Sequence, residues 1–177
     1  AENIVKYLWS PIKKSFKPIQ RRMDIFYAGT NLVDNHSSKW VVNMGHLLGS
    51  FNNPFLGIEP TKKTVMLWYC EFYKVENNKI TEGAFFLDLL KFMQHLKLSV
   101  VPDSTGMIGF NPGPKTHDGL YFEKQNDEEG NKTLDLMMRM ANRLIGEGMR
   151  TTVSDLEKDW HEDMIWWGPG GIGASYT

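Results

Sequence analysis

The chain has 177 residues, of which 41% are hydrophobic, 12% aromatic and 23% charged, and this composition excludes a disordered or low-complexity polymer. Twenty Lys and Arg against twenty-one Asp and Glu give a net charge of −1, which lacks the positive excess that binding to a phosphate backbone usually requires. We therefore predict a globular protein without a nucleic-acid partner.

The sequence contains neither a recognisable targeting segment nor a pair of cysteines that could form a disulfide. The single cysteine, Cys70, excludes an internal disulfide and is expected to be a small buried hydrophobe. No apolar run approaches the roughly 18 residues that span a bilayer, and Ala1-Glu2-Asn3 does not begin a signal peptide. We expect a cytoplasmic protein with no membrane partner. The missing initiator Met and the ending after a glycine cluster predict that the chain was cut from a longer one.

The segment 3–16 is predicted to be a short amphipathic helix. Its apolar residues recur at close to helical spacing: Ile4, Val5, Leu8, Trp9, Ile12 and Phe16. Five cations lie within the ten positions 13–22: Lys13, Lys14, Lys17, Arg21 and Arg22. Two interpretations of these cations stay open, a solvated face or a patch that binds an anion or an acidic partner.

Four segments between Arg22 and Leu89 have the composition of β-strands. They are rich in β-branched and aromatic residues and are separated by turn signals. These segments are Met23–Tyr27, Trp40–Leu48, Lys63–Val75 and Lys79–Leu89. The last two flank the turn Glu76-Asn77-Asn78-Lys79, where asparagine tolerates the left-handed backbone of a tight hairpin. We therefore predict an antiparallel meander.

This hairpin also predicts which residues share a face of the sheet. Centring the turn between Asn77 and Asn78 pairs Tyr73 with Glu82, Glu71 with Ala84, Tyr69 with Phe86 and Leu67 with Asp88. Alternation then places all eight on one face, opposite an apolar face of Trp68, Cys70, Phe72, Phe85 and Leu87. Aromatic rings mixed with three carboxylates favour a wet ligand pocket, because unpaired buried carboxylates are costly.

Helices and a linker are predicted after the sheet. A short helix near Leu89–Leu96 precedes a Pro- and Gly-rich linker at 99–131. The apolar stripe of Thr133–Ile145 predicts a helix whose methionines serve packing or an oligomer interface. A capping box at Ser154–Glu157 predicts a further helix to about Trp160. Met164–Trp167 is a strand candidate.

Metal and nucleotide motifs are not found. The histidines at 36, 46, 95, 117 and 161 lack the spacing of metal ligands, and one cysteine cannot build a structural zinc site, so we predict no metal. The glycine cluster Gly168–Gly173 lacks the lysine of a phosphate-binding loop and is interpreted as a turn. The pair His117-Asp118 has no positioned serine and is interpreted as loop structure.

The segment Asn53–Thr61, with Gly45-His46 before it and Asn78-Lys79-Ile80 after it, resembles the SnoaL-like polyketide cyclase family. A second segment, Trp160–Gly170, is similar to the entry into that family's first strand. The resemblance implies an α+β fold in which a curved antiparallel sheet packs with helices, the nuclear-transport-factor-like cone, also described as a cystatin-like barrel.

The order of these parts differs from that of the family. The second segment lies after the sheet, which implies a permuted or swapped cone or parts of two tandem cones. On this interpretation residues 1–98 are the third helix and the sheet of a cone, 99–131 are a linker, and 132–177 are the first helices and first strand.

The resemblance also implies a chemistry and a set of site residues. Family cyclases close polyketide rings by an intramolecular aldol condensation without metal or cofactor, with a pocket carboxylate, its pKa raised by desolvation, as acid and base. The family's catalytic Asp falls at Ala84, so its role passes to another acid of the same face. The candidate catalytic residues are Glu71, Asp88 and His46. The candidate substrate-binding residues are Trp40, Met44, Tyr69, Tyr73, Glu82, Phe86, His161, Asp163 and Trp166.

Alternative roles stay open for each of these residues. Glu71 is alternatively a hydrogen-bonded structural carboxylate, Asp88 a helix cap and His46 a satisfied core histidine. His161 and Asp163 are either substrate-facing or hydrogen-bonded at the entry of a strand.

Two functions of different classes follow. One is a small-molecule-binding enzyme, an aldol-type cyclase or isomerase without a cofactor. The other is a non-enzymatic ligand-binding or oligomerisation module of the same fold, which a Glu71 paired with an arginine would favour. Under both, the expected partners are a small apolar or polyketide-like ligand and further copies of the chain in a homodimer or homotetramer.

Overall fold

The computed structural model describes residues 2–98, 100–102, 113–114, 116–146, 150–164 and 166–172. The chain divides into two compact units. Unit 1 comprises Ala1–Phe122 and Gly168–Ser175, and unit 2 comprises Glu123–Trp167 and Tyr176–Thr177. The predicted α+β class is confirmed.

Unit 1 contains a helix followed by a four-stranded sheet. Helix α1 has three consecutive segments, an α-helical Glu2–Ile4, a π-helical Val5–Trp9 and an α-helical Ser10–Ser15. The strands are β1 Phe16–Thr30, β2 Lys39–Phe51, β3 Thr64–Glu76 and β4 Lys79–Leu87. Helix α2 is Leu89–His95, and short 3₁₀ turns lie at Leu32–Asp34 and Gly170–Ile172.

The sheet is an antiparallel meander with the strand order β1-β2-β3-β4, as the sequence predicts. Strand β1 begins at Phe16 rather than near Met23, so three of the N-terminal cations, Lys17, Arg21 and Arg22, lie on a strand. The predicted hairpin turn is also confirmed, because Asn77 and Asn78 both have a left-handed backbone, with φ of 50° and 59°.

The hydrophobic core lies on one face of this sheet, which we call the inner face, beneath α1 and α2. Helix α1 contributes Ile12 and helix α2 contributes Phe92. The sheet and its loops contribute Phe16, Leu47, Phe51, Phe55, Val65, Leu67 and Tyr69. Phe92 contacts three other phenylalanine rings edge-on, which fixes α2 over the core.

The four pairs predicted between β3 and β4 are wrong, and only the pairs next to the turn, Glu76 with Lys79 and Val75 with Ile80, keep the predicted register. Val75 pairs with Ile80, but a bulge at Thr81 then places Lys74 opposite Glu82, Glu71 opposite Phe85 and Tyr69 opposite Leu87. One extra residue reverses the facing of every later side chain of β4. Phe85 and Leu87 therefore join the inner face, whereas Glu82, Ala84 and Phe86 lie on the opposite, outer face.

The described residues of unit 2 form two helices, α3 at Asp127–Gly146 and α4 at Val153–Leu156. Helix α3 begins six residues before the predicted Thr133, and its first turn carries Asp127, Glu128 and Glu129, which complement the positive end of the helix dipole. Thr152 and Asp155, rather than Ser154 and Glu157, form the capping box of α4.

Ile165, within the strand predicted at Met164–Trp167, lies outside the described residues. The other three residues of that segment do not form a strand. Within the described ranges, no helix combines the length and the apolar character that crossing a membrane requires.

Candidate functional site

A network of polar side chains on the inner face surrounds Glu71, whose exposed fraction is only 1%. Its Oε1 accepts hydrogen bonds from Arg21 Nη2 and, at 2.9 Å, from Asn43 Nδ2. Its Oε2 accepts a hydrogen bond of 2.7 Å from the Tyr73 hydroxyl. Both carboxylate oxygens are thus bonded to other side chains of the protein, which is what a buried charge requires.

Strand pairing brings this network together. Glu71 on β3 lies opposite Asn43 on β2, and Tyr69 lies opposite Gly45. Gly45 permits the close approach of β1, because a Cβ at this position would overlap the Arg22 carbonyl oxygen and lie 3.0 Å from the Tyr69 hydroxyl.

Arg21 is the most exposed member of the network, with 39% of its side chain exposed. Its Nε donates a hydrogen bond of 3.1 Å to the Tyr69 hydroxyl, while Nη2 donates to Glu71. Its guanidinium carbon lies 5.0 Å from the ring centre of Trp9 and 5.1 Å from that of Tyr69. Two hydrogen bonds and two aromatic contacts therefore fix the orientation of this guanidinium.

Burial raises the pKa of the Tyr69 phenol, and it raises the pKa of the Tyr73 phenol for the same reason. Both phenols are consequently neutral near pH 7 and keep the hydroxyl protons that the network uses as donors. Tyr69 also stacks on Phe85 with ring centres 6.0 Å apart, and Phe85 contacts Trp9 edge-on at 5.6 Å.

A cleft of about 400 Å³ opens beside this network in unit 1. Its lining consists of Val5, Trp9, Lys13, Ile19, Arg21 and Leu47. The volume lies within the range of small-molecule sites, which combine an apolar lining with a few polar groups. Helix α1 and the first two strands thus form a concave, mainly apolar site with cations in its lining.

The structure separates the predicted site residues. Tyr69, Glu71 and Tyr73 share the inner face as predicted. Five others lie on the outer face: Trp40, Met44, His46, Glu82 and Phe86. For Glu82 and Phe86 the bulge at Thr81 overturns the predicted face.

His46 forms a separate buried pair with Asp24. A register shift in β1 between Met23 and Ile25 accommodates Asp24, whose Oδ2 lies 2.7 Å from His46 Nδ1. The His46 ring also contacts Trp68 edge-on, with ring centres 5.3 Å apart.

Asp88 is the N-cap of α2. Its Oδ1 accepts a hydrogen bond from the Lys91 backbone N–H, and its Oδ2 accepts one from the Gly171 backbone N–H, each at 2.9 Å. Both oxygens are therefore used to hold the start of the helix and the 3₁₀ turn Gly170–Ile172. Asp88 also differs from the prediction in its position, because β4 ends at Leu87 and leaves it outside the sheet.

The three candidates of the C-terminal segment belong to unit 2. His161 and Asp163 are strongly exposed, and His161 Nδ1 accepts a hydrogen bond of 3.1 Å from the Asp163 backbone N–H. Trp166 stacks on Trp160 with ring centres 6.2 Å apart. Among the residues that the structure describes, no three His, Cys, Asp or Glu side chains are grouped to hold a metal ion.

Sequence reasoning missed Trp9, Asn43 and Arg21 as site residues. For Arg21 a signal existed, because it belongs to the cation-rich stretch for which an anion site was one interpretation. For Asn43 the signal was an amide within a predicted strand, Trp40–Leu48, whose only other polar side chain is His46, because a buried amide needs partners.

Comparison with known proteins finds no matching family model, no matching curated protein and no matching solved structure.

Proposed function

We propose that this chain is a small-molecule-binding protein of the SnoaL-like, cone-fold class that binds its ligand without using Glu71 as a catalytic base. The observation that carries the proposal is the pairing of Glu71 with Arg21 beside an open, mainly apolar cleft. A general base needs an oxygen directed at its substrate. The Glu71 oxygens instead accept from Arg21, Asn43 and Tyr73.

The lining of the cleft supports binding of an apolar body. Trp9 supplies an aromatic surface, and Val5, Ile19 and Leu47 supply aliphatic ones. Burying a flat hydrocarbon against such surfaces is favourable by about 25 cal/mol for each Å² removed from water. In the proposed arrangement, α1 is the third helix of the cone, β1 to β4 belong to its sheet, and the cleft lies between them.

Isothermal titration calorimetry with two naphthalene probes, 2-naphthamide and 2-naphthoate, tests the proposal. We expect at least one probe to bind with a dissociation constant below about 1 mM. Val5→Trp places a large ring in the lining of the cleft and should weaken that binding about tenfold or more. Tyr7→Trp is the matched control, because Tyr7 is exposed on the same helix and does not line the cleft.

Two results would overturn the proposal. One is the failure of both probes to bind at millimolar concentration. The other is equal loss of binding in the Val5 and Tyr7 variants, which would show that the ring acts on the helix rather than on the cleft.

A further inference from the structure

The cleft of unit 1 has an unbalanced charge. Of the six described lining residues, Lys13 and Arg21 are cations and the other four are apolar, so none of them is an acid. The charge of Arg21 is compensated by Glu71. Lys13 has no ion pair among the residues that the structure describes, which leaves the cleft with one uncompensated positive charge.

The guanidinium of Arg21 retains donors for a ligand. An arginine offers five N–H groups in one plane, and the described hydrogen bonds to Tyr69 and Glu71 start from Nε and Nη2. Nη1 has no acceptor among the described residues. Since the opposite edge of the group is fixed by Glu71 and Tyr69, little orientational freedom is lost when Nη1 binds an acceptor.

We infer that the cleft selects a ligand with one carboxylate on a flat apolar body, an inference that rests on the proposed function. The carboxylate would accept hydrogen bonds from Arg21 Nη1 and from the Lys13 ammonium, and the apolar body would lie against Trp9, Ile19 and Leu47. A single negative charge matches the single uncompensated positive charge. Because Glu71 already neutralises the charge of Arg21, the cleft disfavours a ligand with two negative charges.

The two naphthalene probes distinguish this inference from the proposed function. 2-Naphthoate and 2-naphthamide have the same ring system and nearly the same shape, and they differ in charge. We expect naphthoate to bind about tenfold more tightly than naphthamide at low salt. Because an exposed lysine is screened by ions, this ratio should fall as NaCl is raised from about 50 to about 500 mM.

Lys13→Met should reduce the ratio of the two affinities to about two or less, because it removes the ammonium group that naphthoate binds and naphthamide does not. Lys14→Met is the matched control, because it removes the same charge from the neighbouring position, which does not line the cleft. The ratio should stay near its original value in that variant.

The outcomes separate the two proposals. Equal affinity for naphthoate and naphthamide would overturn the inference and leave the proposed function standing. Equal loss of selectivity in the Lys13 and Lys14 variants would also overturn it, because the selectivity would then come from the net charge of the helix. If neither probe binds, the proposed function fails and the inference fails with it.

Discussion

Glu71 and Arg21 form an ion pair in which Glu71 is buried and Arg21 is partly exposed. Removing Arg21 should therefore change the free energy of unfolding by a different amount from removing Glu71. Arg21→Met leaves a buried carboxylate with only two neutral donors, Asn43 and Tyr73. We expect a loss of about 1–3 kcal/mol in the free energy of unfolding, reduced from that of a fully buried pair by the exposure of Arg21.

A double-mutant cycle with Glu71→Met measures how much of this loss belongs to the pair. The double variant should be more stable than the sum of the single losses predicts, by about 1 kcal/mol or more in urea unfolding. The exposed pair Lys74 and Glu82, with 2.9 Å between Nζ and Oε1, is the control and should show little coupling. Additive effects of the Arg21 and Glu71 variants would contradict the assigned pair.

Lys91 is a second buried charge, with an exposed fraction of 4%. Burial lowers the pKa of its ammonium from the usual 10.5, and the nearby Asp88 carboxylate opposes this only in part. Between the lowered pKa and 10.5 the unfolded chain binds more protons than the folded chain, so stability rises with pH in this window. The burial of Lys91 therefore costs stability at neutral pH and ceases to do so above pH 10.5.

Lys91→Met should raise the melting temperature at pH 7 by about 2–4 °C, which corresponds to about 1 kcal/mol in a chain of this size. The gain should shrink by more than half at pH 10.5, because this pH lies above the lowered pKa of the folded wild-type amine. Lys97→Met, at an exposed position after the same helix, controls for the removal of a charge as such. An equal gain at both pH values would show that the charge of the buried Lys91 ammonium does not cause the loss of stability.

At the scale of the elements, the strands were predictable because their signals are local. β-Branched and aromatic residues mark β2, β3, β4 and the later part of β1, and two asparagines mark the hairpin turn. The bulge at Thr81 was not predictable from such signals. It places Phe85 and Leu87 against Tyr69 and Trp9 on the inner face, and this packing depends on residues distant in sequence.

The candidate site was less predictable than the strands for the same reason. Tyr69, Glu71 and Tyr73 share a face because they alternate on one strand, which the sequence shows directly. Arg21 joins them only because β1 begins at Phe16, before the predicted start at Met23, and pairs Arg21 with Leu47.

The 3₁₀ turn Gly170–Ile172 can contact α2 because Gly171 has no side chain. A Cβ at Gly171 would overlap Asp88 Oδ1 and the Lys91 backbone nitrogen. Gly171→Ala should therefore separate the turn from the helix at a cost of about 1–3 kcal/mol, seen as faster amide exchange at 168–172 and at the start of α2. Gly130→Ala is the control within a helix, since nothing lies within 4 Å of a Cβ there, and it should instead stabilise α3 by about 1 kcal/mol. Unchanged exchange at 168–172 in the Gly171 variant would contradict the close contact.

At the scale of the whole molecule, the two units differ in how much they bury. Unit 1 has a core of nine buried hydrophobic residues that includes four phenylalanines. In unit 2, helix α3 has no buried residue, although its 20 residues carry a regular apolar stripe. Its contacts outside the helix include the bonds from Arg139 and Arg143 to the Asp159 carboxylate.

Hydrogen–deuterium exchange followed by mass spectrometry should resolve this difference. We expect the central amides of β2 and β3 to exchange only when unit 1 unfolds, and those of α3 to exchange about 100-fold faster or more, because a helix without buried side chains opens locally.

The comparison should be made at two protein concentrations. Residues such as Met137, Met138 and Ile145, which is 79% exposed, would become covered if further copies of the chain bound this helix. Protection of α3 equal to that of β3 at both concentrations would contradict the independence of its stability, and protection that rises with concentration would show that a second copy covers the apolar stripe.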